Sequence, residues 1–259
     1  MNDKILLTMN NDRLTNPPQL IQDEDGLCLM WNNMILRGDF REMLPRLRPG
    51  RLESELIVKA SGILKANATA PALQSTASYA ASQQSSALTP LAIDATAGLG
   101  EDSLLLAAAG FRVMLYEKDE LIYSLLKDAV ERARALPDEP EYAVLKSTVS
   151  RMEIYNEDSI AAMLSLAEMP DGTHDRLDVI FLDPMFPERR KSSLVGKKLQ
   201  ILQQLESPCN NEAELLGAAM ALKPKRIIIK RPPKGPYLCG KKPTFSLSGK
   251  SVRIDCIIL

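Results

Sequence analysis

The stretch from Leu91 to Glu117 constrains this chain most, because an apolar run, a glycine loop, a leucine- and alanine-rich run and a second apolar run follow one another there without a break. Leu91, Ala92, Ile93 and Asp94 read as a short buried strand, Ala95 to Gly100 as a turn, and Leu104 to Ala109 as part of a helix. Glycines at such a junction let the backbone turn tightly and come close to a ligand, while the helix start offers unpaired N–H groups. Val113, Met114, Leu115 and Tyr116 then form a second strand that stops at Glu117, at a distance from Gly98 that suits a carboxylate gripping ribose hydroxyls. The unit predicts a site for a nucleoside-containing cofactor.

From Leu91 onward strands and helices alternate, which predicts an α/β fold with a doubly wound, mostly parallel sheet covered on both faces. Strands are expected at Leu91 to Asp94, Arg112 to Glu117, Met152 to Asn156, Val179 to Leu182 and Arg226 to Lys230. Helices are expected at Ser103 to Ala109, Glu120 to Ala135, Ser159 to Glu168, Leu194 to Leu205 and Asn211 to Leu222. A last strand, Val252 to Leu259, is expected to pair with one around Phe245 in a terminal hairpin. Residues 1–66 read as a small extension, β-rich around Ile5 to Leu7 and Leu27 to Trp31 and then helical from Glu53 to Ile63. Residues 67–90 are rich in Ala, Ser and Gln and read as a linker or mobile loop, and 91–259 as the main domain.

A dehydrogenase fingerprint wants a third glycine where this chain has Ser103. Here an acid, Asp94, closes the first strand instead, an arrangement that resembles motif I of class I S-adenosylmethionine-dependent methyltransferases. A carboxylate there can meet the amino acid moiety of the cofactor. A second motif sharpens this reading: the apolar run Val179 to Leu182 ends in Asp183, Pro184, Met185 and Phe186. An exocyclic amine on a nucleobase shares its lone pair with the ring, so it attacks an electrophile poorly until acceptors hold its N–H bonds. Asp183 and the Pro184 carbonyl can supply those acceptors, and Phe186 can stack on the base, which is catalysis by positioning and matched polarity. An Asp-Pro step also turns a chain after any buried strand.

The segments Asp94 to Asp102, Leu182 to Pro187, Lys191 to Lys198, Lys230 to Pro232 and Gly249 to Asp255 together resemble the ribosomal RNA small subunit methyltransferase J family. The resemblance covers residues 91 to 259 well and Gly38 to Gly62 more faintly. It implies a class I methyltransferase fold with a C-terminal β-hairpin, and methyl transfer from S-adenosylmethionine to the N2 amine of a guanine in 16S rRNA. It also implies cofactor contacts from Asp94, Gly98, Gly100, Glu101, Asp102, Glu117, Lys118, Asp158, Ser159 and Asp183, with Asp183, Pro184 and Phe186 at the chemistry. The chain departs from the pattern at Glu101, where the family commonly has Arg, and in a reduced basic stretch at Arg46, Arg48 and Arg51. An amino methyltransferase of adenine or of another nucleic acid, and a binding module that keeps the cofactor fold without turnover, stay open as alternatives.

A formal net charge of −1 argues at first against a nucleic-acid partner, but the distribution argues the other way. Arg189, Arg190, Lys191, Lys197 and Lys198 follow the Phe186 motif, and Lys225, Arg226, Lys230, Arg231, Lys234, Lys241, Lys242, Lys250 and Arg253 crowd the C-terminal part. Arg189, Arg190, Lys191, Lys230 and Arg231 are the expected RNA-phosphate contacts, with 16S rRNA or the small ribosomal subunit as partner. Cys28, Cys209, Cys239 and Cys256 are never spaced as metal ligands, and His174 is the only histidine, so neither a metal site nor histidine-based catalysis is expected. No run is long and apolar enough for a membrane, and Met1 to Arg13 lacks the order of a secretion signal, so a cytoplasmic protein is expected.

Overall fold

The computed structural model describes residues 17–31, 34–64, 89–169, 177–184 and 211–259. Outside them lie the Ile5 to Leu7 stretch, the Ala/Ser/Gln segment from Asn67 to Ser86, His174, the helix expected at Leu194 to Leu205 and Cys209. Met185, Phe186, Arg189, Arg190, Lys191, Lys197 and Lys198 also lie outside them.

A seven-stranded sheet forms the centre of the molecule. Its strands are β4 (Leu91–Asp94), β5 (Arg112–Tyr116), β6 (Met152–Tyr155), β7 (Leu177–Leu182), β8 (Arg226–Arg231), β9 (Phe245–Ser248) and β10 (Arg253–Ile258), in the order β6-β5-β4-β7-β8-β10-β9. The strands β4 to β8 run parallel, and β10 enters antiparallel between β8 and β9. Ile93, Val179, Ile180, Phe181, Leu182, Ile227 and Ile228 are buried whichever face they point to, as a sheet covered on both sides demands. Chain order runs outward from β4 to β6 and then returns to β7 at the other flank of β4. That reversal leaves a crevice beyond the carboxyl ends of β4 and β7, where open α/β sheets bind ligands.

The helices follow from local signals. Asp119 accepts from Leu121 N and Ile122 N, each at 3.0 Å, and so starts α3 (Glu120–Arg134). Leu121, Ile122, Leu125, Leu126, Ala129, Val130 and Ala133 repeat at helical spacing on its buried face. Asp158 caps α5 (Ser159–Glu168) in the same way. The expected helix from Asn211 to Leu222 is α6 (Glu212–Ala221). By contrast α2 (Glu101–Ala108) opens on Gly100 with no side-chain cap, which leaves its first N–H groups toward the crevice.

Several elements differ from the sequence expectation. The helix expected from Glu53 to Ile63 splits into a 3-10 turn, Leu52–Ser54, and α1 (Leu56–Ser61), because Glu55 between them is extended while its carboxylate holds Arg46 at 2.8 Å. The helix α4 (Ala143–Val149) was not expected, since valine, serine and threonine are weak helix formers; burial of Leu145, Thr148 and Val149 stabilises it. The N-terminal extension is a three-stranded antiparallel sheet, β1 (Gln19–Asp23), β2 (Gly26–Trp31) and β3 (Met34–Leu36). Leu29, Trp31 and Leu36 pack against Leu121, Ile122 and Leu125 of α3 and against Leu99 of the glycine loop, so this sheet braces the loop from behind. Among the described residues no helix is long and apolar enough to cross a membrane.

Gly100 has φ +77°, and a Cβ built there would meet Leu126 Cδ1 at 2.7 Å and the Phe40 ring at 3.3 Å. Gly100→Ala is expected to destabilise the protein by about 2 kcal/mol or more, from left-handed strain plus overpacking. Urea denaturation checks this, and a change within about 0.5 kcal/mol, the range of a neutral surface substitution, would show that the loop has room.

Candidate active site

Three carboxylates end up together because three neighbouring strands finish on them: Asp94 after Ile93 in β4, Glu117 directly after β5, and Asp183 directly after β7. Each is compensated differently. Asp94 is 1% exposed; it accepts from the Ser103 hydroxyl at 2.5 Å and from Thr96 N at 3.0 Å. Burial pushes its pKa up to about 7, and these two hydrogen bonds only partly offset that. The residue that breaks the dehydrogenase glycine pattern, Ser103, is therefore the partner of Asp94. Asp94 organises the turn from inside rather than facing the crevice openly.

Glu117 is also buried, and it spans the loop: one oxygen accepts from Gly98 N at 2.9 Å, the other from Asp119 N at 2.8 Å. Burial raises its pKa, and the two N–H donors work against the rise. Each oxygen keeps a lone pair for a further donor, as a ribose diol requires. Asn156, which sequence reasoning passed over, donates from its amide to the Glu117 carbonyl at 2.9 Å and steadies this strand end. Gly98 has φ +53°, and a Cβ built on it would meet nothing within 4 Å. That open space lies beside the Glu117 carboxylate and before the uncapped start of α2. Lys118, Glu101 and Asp158 are exposed around it, while Ser159 is buried behind the Asp158 cap. Donor set and space fit the ribose and amino acid parts of S-adenosylmethionine.

Asp183 is bound to the cofactor side at two points. Its backbone N donates to the Thr96 hydroxyl at 2.7 Å, so the glycine loop positions the start of the Asp183-Pro184 motif. Its carboxylate lies 2.9 Å from Lys230 Nζ, which also lies 2.6 Å from Asp102 in the first turn of α2. Burial raises the Asp183 pKa while the Lys230 ammonium opposes the rise. For Lys230 burial would lower the pKa, but the two carboxylates more than reverse this and raise it well beyond the ordinary lysine range. Thr96 and the Lys230 bridge were not expected from the sequence.

The two residues of β8 expected at RNA phosphate, Lys230 and Arg231, sit in different surroundings. Successive residues of β8 face opposite sides of the sheet. Lys230 turns toward Asp102 and Asp183, whereas the Arg231 side chain, 1% exposed, lies 3.0 Å from Glu212 and donates to the Pro236 carbonyl. Arg231 is thus a buried cation paired with Glu212, and Lys230 a partly exposed one shared by two carboxylates.

Residues 72–258 match the family described as "Putative SAM-dependent methyltransferase". The chain belongs to that family. Its methyl donor is S-adenosylmethionine, and the fold is that of a class I methyltransferase. A protein of Hahella chejuensis named ribosomal RNA small subunit methyltransferase J is 42% identical over 167 residues, covering 64% of this chain and 57% of that protein. One of the same name from Pseudomonas aeruginosa is 42% identical over 166 residues, covering 64% of this chain and 59% of the relative. The matched region thus spans less than two thirds of these relatives. A solved SAM-dependent methyltransferase from Neisseria gonorrhoeae superposes with a TM-score of 0.66 at 24% identity, covering 97% of this chain and 86% of that one, which supports the fold.

The raised Asp94 pKa has a consequence for stability. Between the unfolded value of 3.8 and the folded value of about 7 the native state holds a proton that the unfolded chain releases, so stability falls as pH rises through this window. Asp94→Asn, which keeps the shape and removes the charge, is expected to melt above the wild type at about pH 8, with the gap closing toward about pH 4. Thermal melts of the cofactor-free protein across that range test it; a gap that does not change with pH contradicts the assignment.

Proposed function

We propose that this protein transfers a methyl group from S-adenosylmethionine to the exocyclic N2 amine of a guanine in 16S rRNA. The observation that carries this reading is the placement of Asp183 and Pro184 at the end of β7, tied by Thr96 to the loop that fits the cofactor. The names of the relatives support ribosomal RNA as substrate, and the sequence resemblance supports guanine N2.

The cofactor supplies an electrophilic methyl group on its sulfonium. Asp183 and the Pro184 carbonyl accept the two N–H bonds of the amine, which localises its lone pair and aims it in line. With the cofactor bound, its methyl group would pass to that nitrogen, the sulfonium leaving as a thioether, and Asp183 or water would take the proton the nitrogen then sheds. Phe186, outside the described residues, is assigned to stack on the base; Arg189, Arg190 and Lys191 are assigned to phosphate.

Strand register divides the remaining basic residues. Arg231 pairs with Arg253, and Arg253 with Ser248, so Lys234 just after β8 and Lys250 in the β9–β10 turn lie at the carboxyl edge of the parallel strands, the edge on which Asp183 also lies. Lys225 precedes β8, and Lys241 and Lys242 precede Thr244, whose hydroxyl accepts from Ile258 N beside Arg226; these sit toward the opposite edge. Exposed Lys234 and Lys250 therefore take over the phosphate role first given to Lys230 and Arg231.

Two measurements test this. Asp183→Ala is expected to lower methyl incorporation into unmethylated small ribosomal subunits by about a hundredfold or more. Nuclease digestion of the wild-type product should yield N2-methylguanosine. Full turnover by the variant removes Asp183 from the chemistry, and label in N6-methyladenine, in DNA or in no nucleic acid overturns the substrate. Charge reversal of Lys234 and Lys250 together is expected to raise the KM for RNA by about tenfold, from lost phosphate contacts, while the same change at Lys241 and Lys242 should have little effect. Equal effects from both pairs would contradict the division.

A further inference from the structure

We propose that Lys230 is a positioning residue for methyl transfer: its ammonium, shared between Asp102 at the start of α2 and Asp183 at the end of β7, fixes the Asp183 carboxylate against the cofactor loop. The proposal rests on the reading of Asp183 as acceptor of the target amine.

The geometry supports more than a brace between a helix and a strand. Lys230 lies on β8, the neighbour of β7, one residue beyond Ile229, which pairs with Leu182, so its side chain meets the carboxylate that follows Leu182. The ammonium has three N–H donors, and Asp102 at 2.6 Å and Asp183 at 2.9 Å account for two. The Lys230 side chain is 28% exposed, that of Asp102 23% and that of Asp183 36%, so the contact with Asp102 is the more sheltered and that with Asp183 is open on the crevice side. With Thr96 holding the Asp183 backbone N and Lys230 holding its carboxylate, the acceptor is fixed at both ends of the residue.

Charge is the second part of the argument. Only an ionised Asp183 accepts from an amine N–H with both oxygens, and burial works against ionisation. The groups around it divide by sign: Lys230 and Arg231 from β8 favour the carboxylate, while Asp102 from α2 and Asp94 from β4 oppose it. Lys230, the cation in contact with Asp183, is therefore the group that most opposes the effect of burial on it. Because Asp102 competes for the same ammonium, removing Asp102 and removing Lys230 must move the Asp183 titration in opposite directions. The pair of shifts reports the electrostatic coupling, and kcat set against KM, with rescue by Lys230→Arg, separates positioning for the reaction from a merely structural salt bridge.

The test is a carboxyl carbon NMR titration of Asp183 in the full-length, cofactor-free protein, with the signal identified by its loss in Asp183→Asn. Lys230→Met is expected to raise the Asp183 midpoint by about one pH unit or more, and Asp102→Asn to lower it. Lys230→Met should also lower kcat on small ribosomal subunits by about tenfold at neutral pH, more than it changes KM, with Lys230→Arg recovering part of the loss. A folded Lys230→Met protein with the wild-type midpoint overturns the proposal. If that variant does not fold, Asp102→Asn decides: a lowered midpoint supports the role and an unchanged one overturns it. Full activity of Asp183→Ala would bring down the functional reading itself, whereas an inactive Asp183→Ala with an unmoved midpoint in Lys230→Met brings down this inference alone.

Discussion

Three carboxylates, Asp94, Glu117 and Asp183, finish three neighbouring parallel strands, and the arrangement of the whole crevice follows from the need to compensate them. Like charges gathered in a sheltered place repel, and desolvation adds to the cost. The protein meets this with three kinds of partner. Asp94 receives a hydroxyl and an amide, Glu117 receives two backbone N–H groups, and Asp183 receives an ammonium. The partners come from the glycine loop, the start of α2, the cap of α3 and β8, so compensation also ties these elements to the ends of β4, β5 and β7.

This explains why the glycine loop and the Asp183-Pro184 step lie together although 87 residues separate Thr96 from Asp183. The β4–β7 pairing brings the two strand ends side by side, and the Thr96 hydroxyl closes the gap. Behind the loop, Leu99 is held by the small N-terminal sheet, and Gly100 fits against Leu126 and Phe40. The extension therefore serves the site by fixing the position of a loop whose own residues are too small to pack it.

Much of this was legible in the sequence where a local rule applied. The Leu91 to Asp94 strand and the Ser159 to Glu168 helix fall where the apolar pattern puts them, and the other strands expected among the described residues fall within a residue or two, because apolar runs and aspartate caps act over a few residues. The short helix from Ala143 and the flanking strands β1 and β3 were missed, since their stability comes from surfaces they cover rather than from their own composition. The ion pairs of Lys230 with Asp102 and Asp183, and of Arg231 with Glu212, were not legible for a related reason: a count of charges does not know which carboxylate each side chain meets.

The sequence by itself determined the doubly wound sheet, the glycine turn with the acid that ends the next strand, and the Asp183-Pro184 motif, because periodicity, glycine conformation and strand-end chemistry are properties of short segments. Only the tertiary structure decided that Ser103 answers Asp94, that Thr96 holds Asp183, and that one ammonium is divided between Asp102 and Asp183. Those contacts join residues up to 128 positions apart, and a separation of that kind is set by strand order and register, which no local pattern encodes.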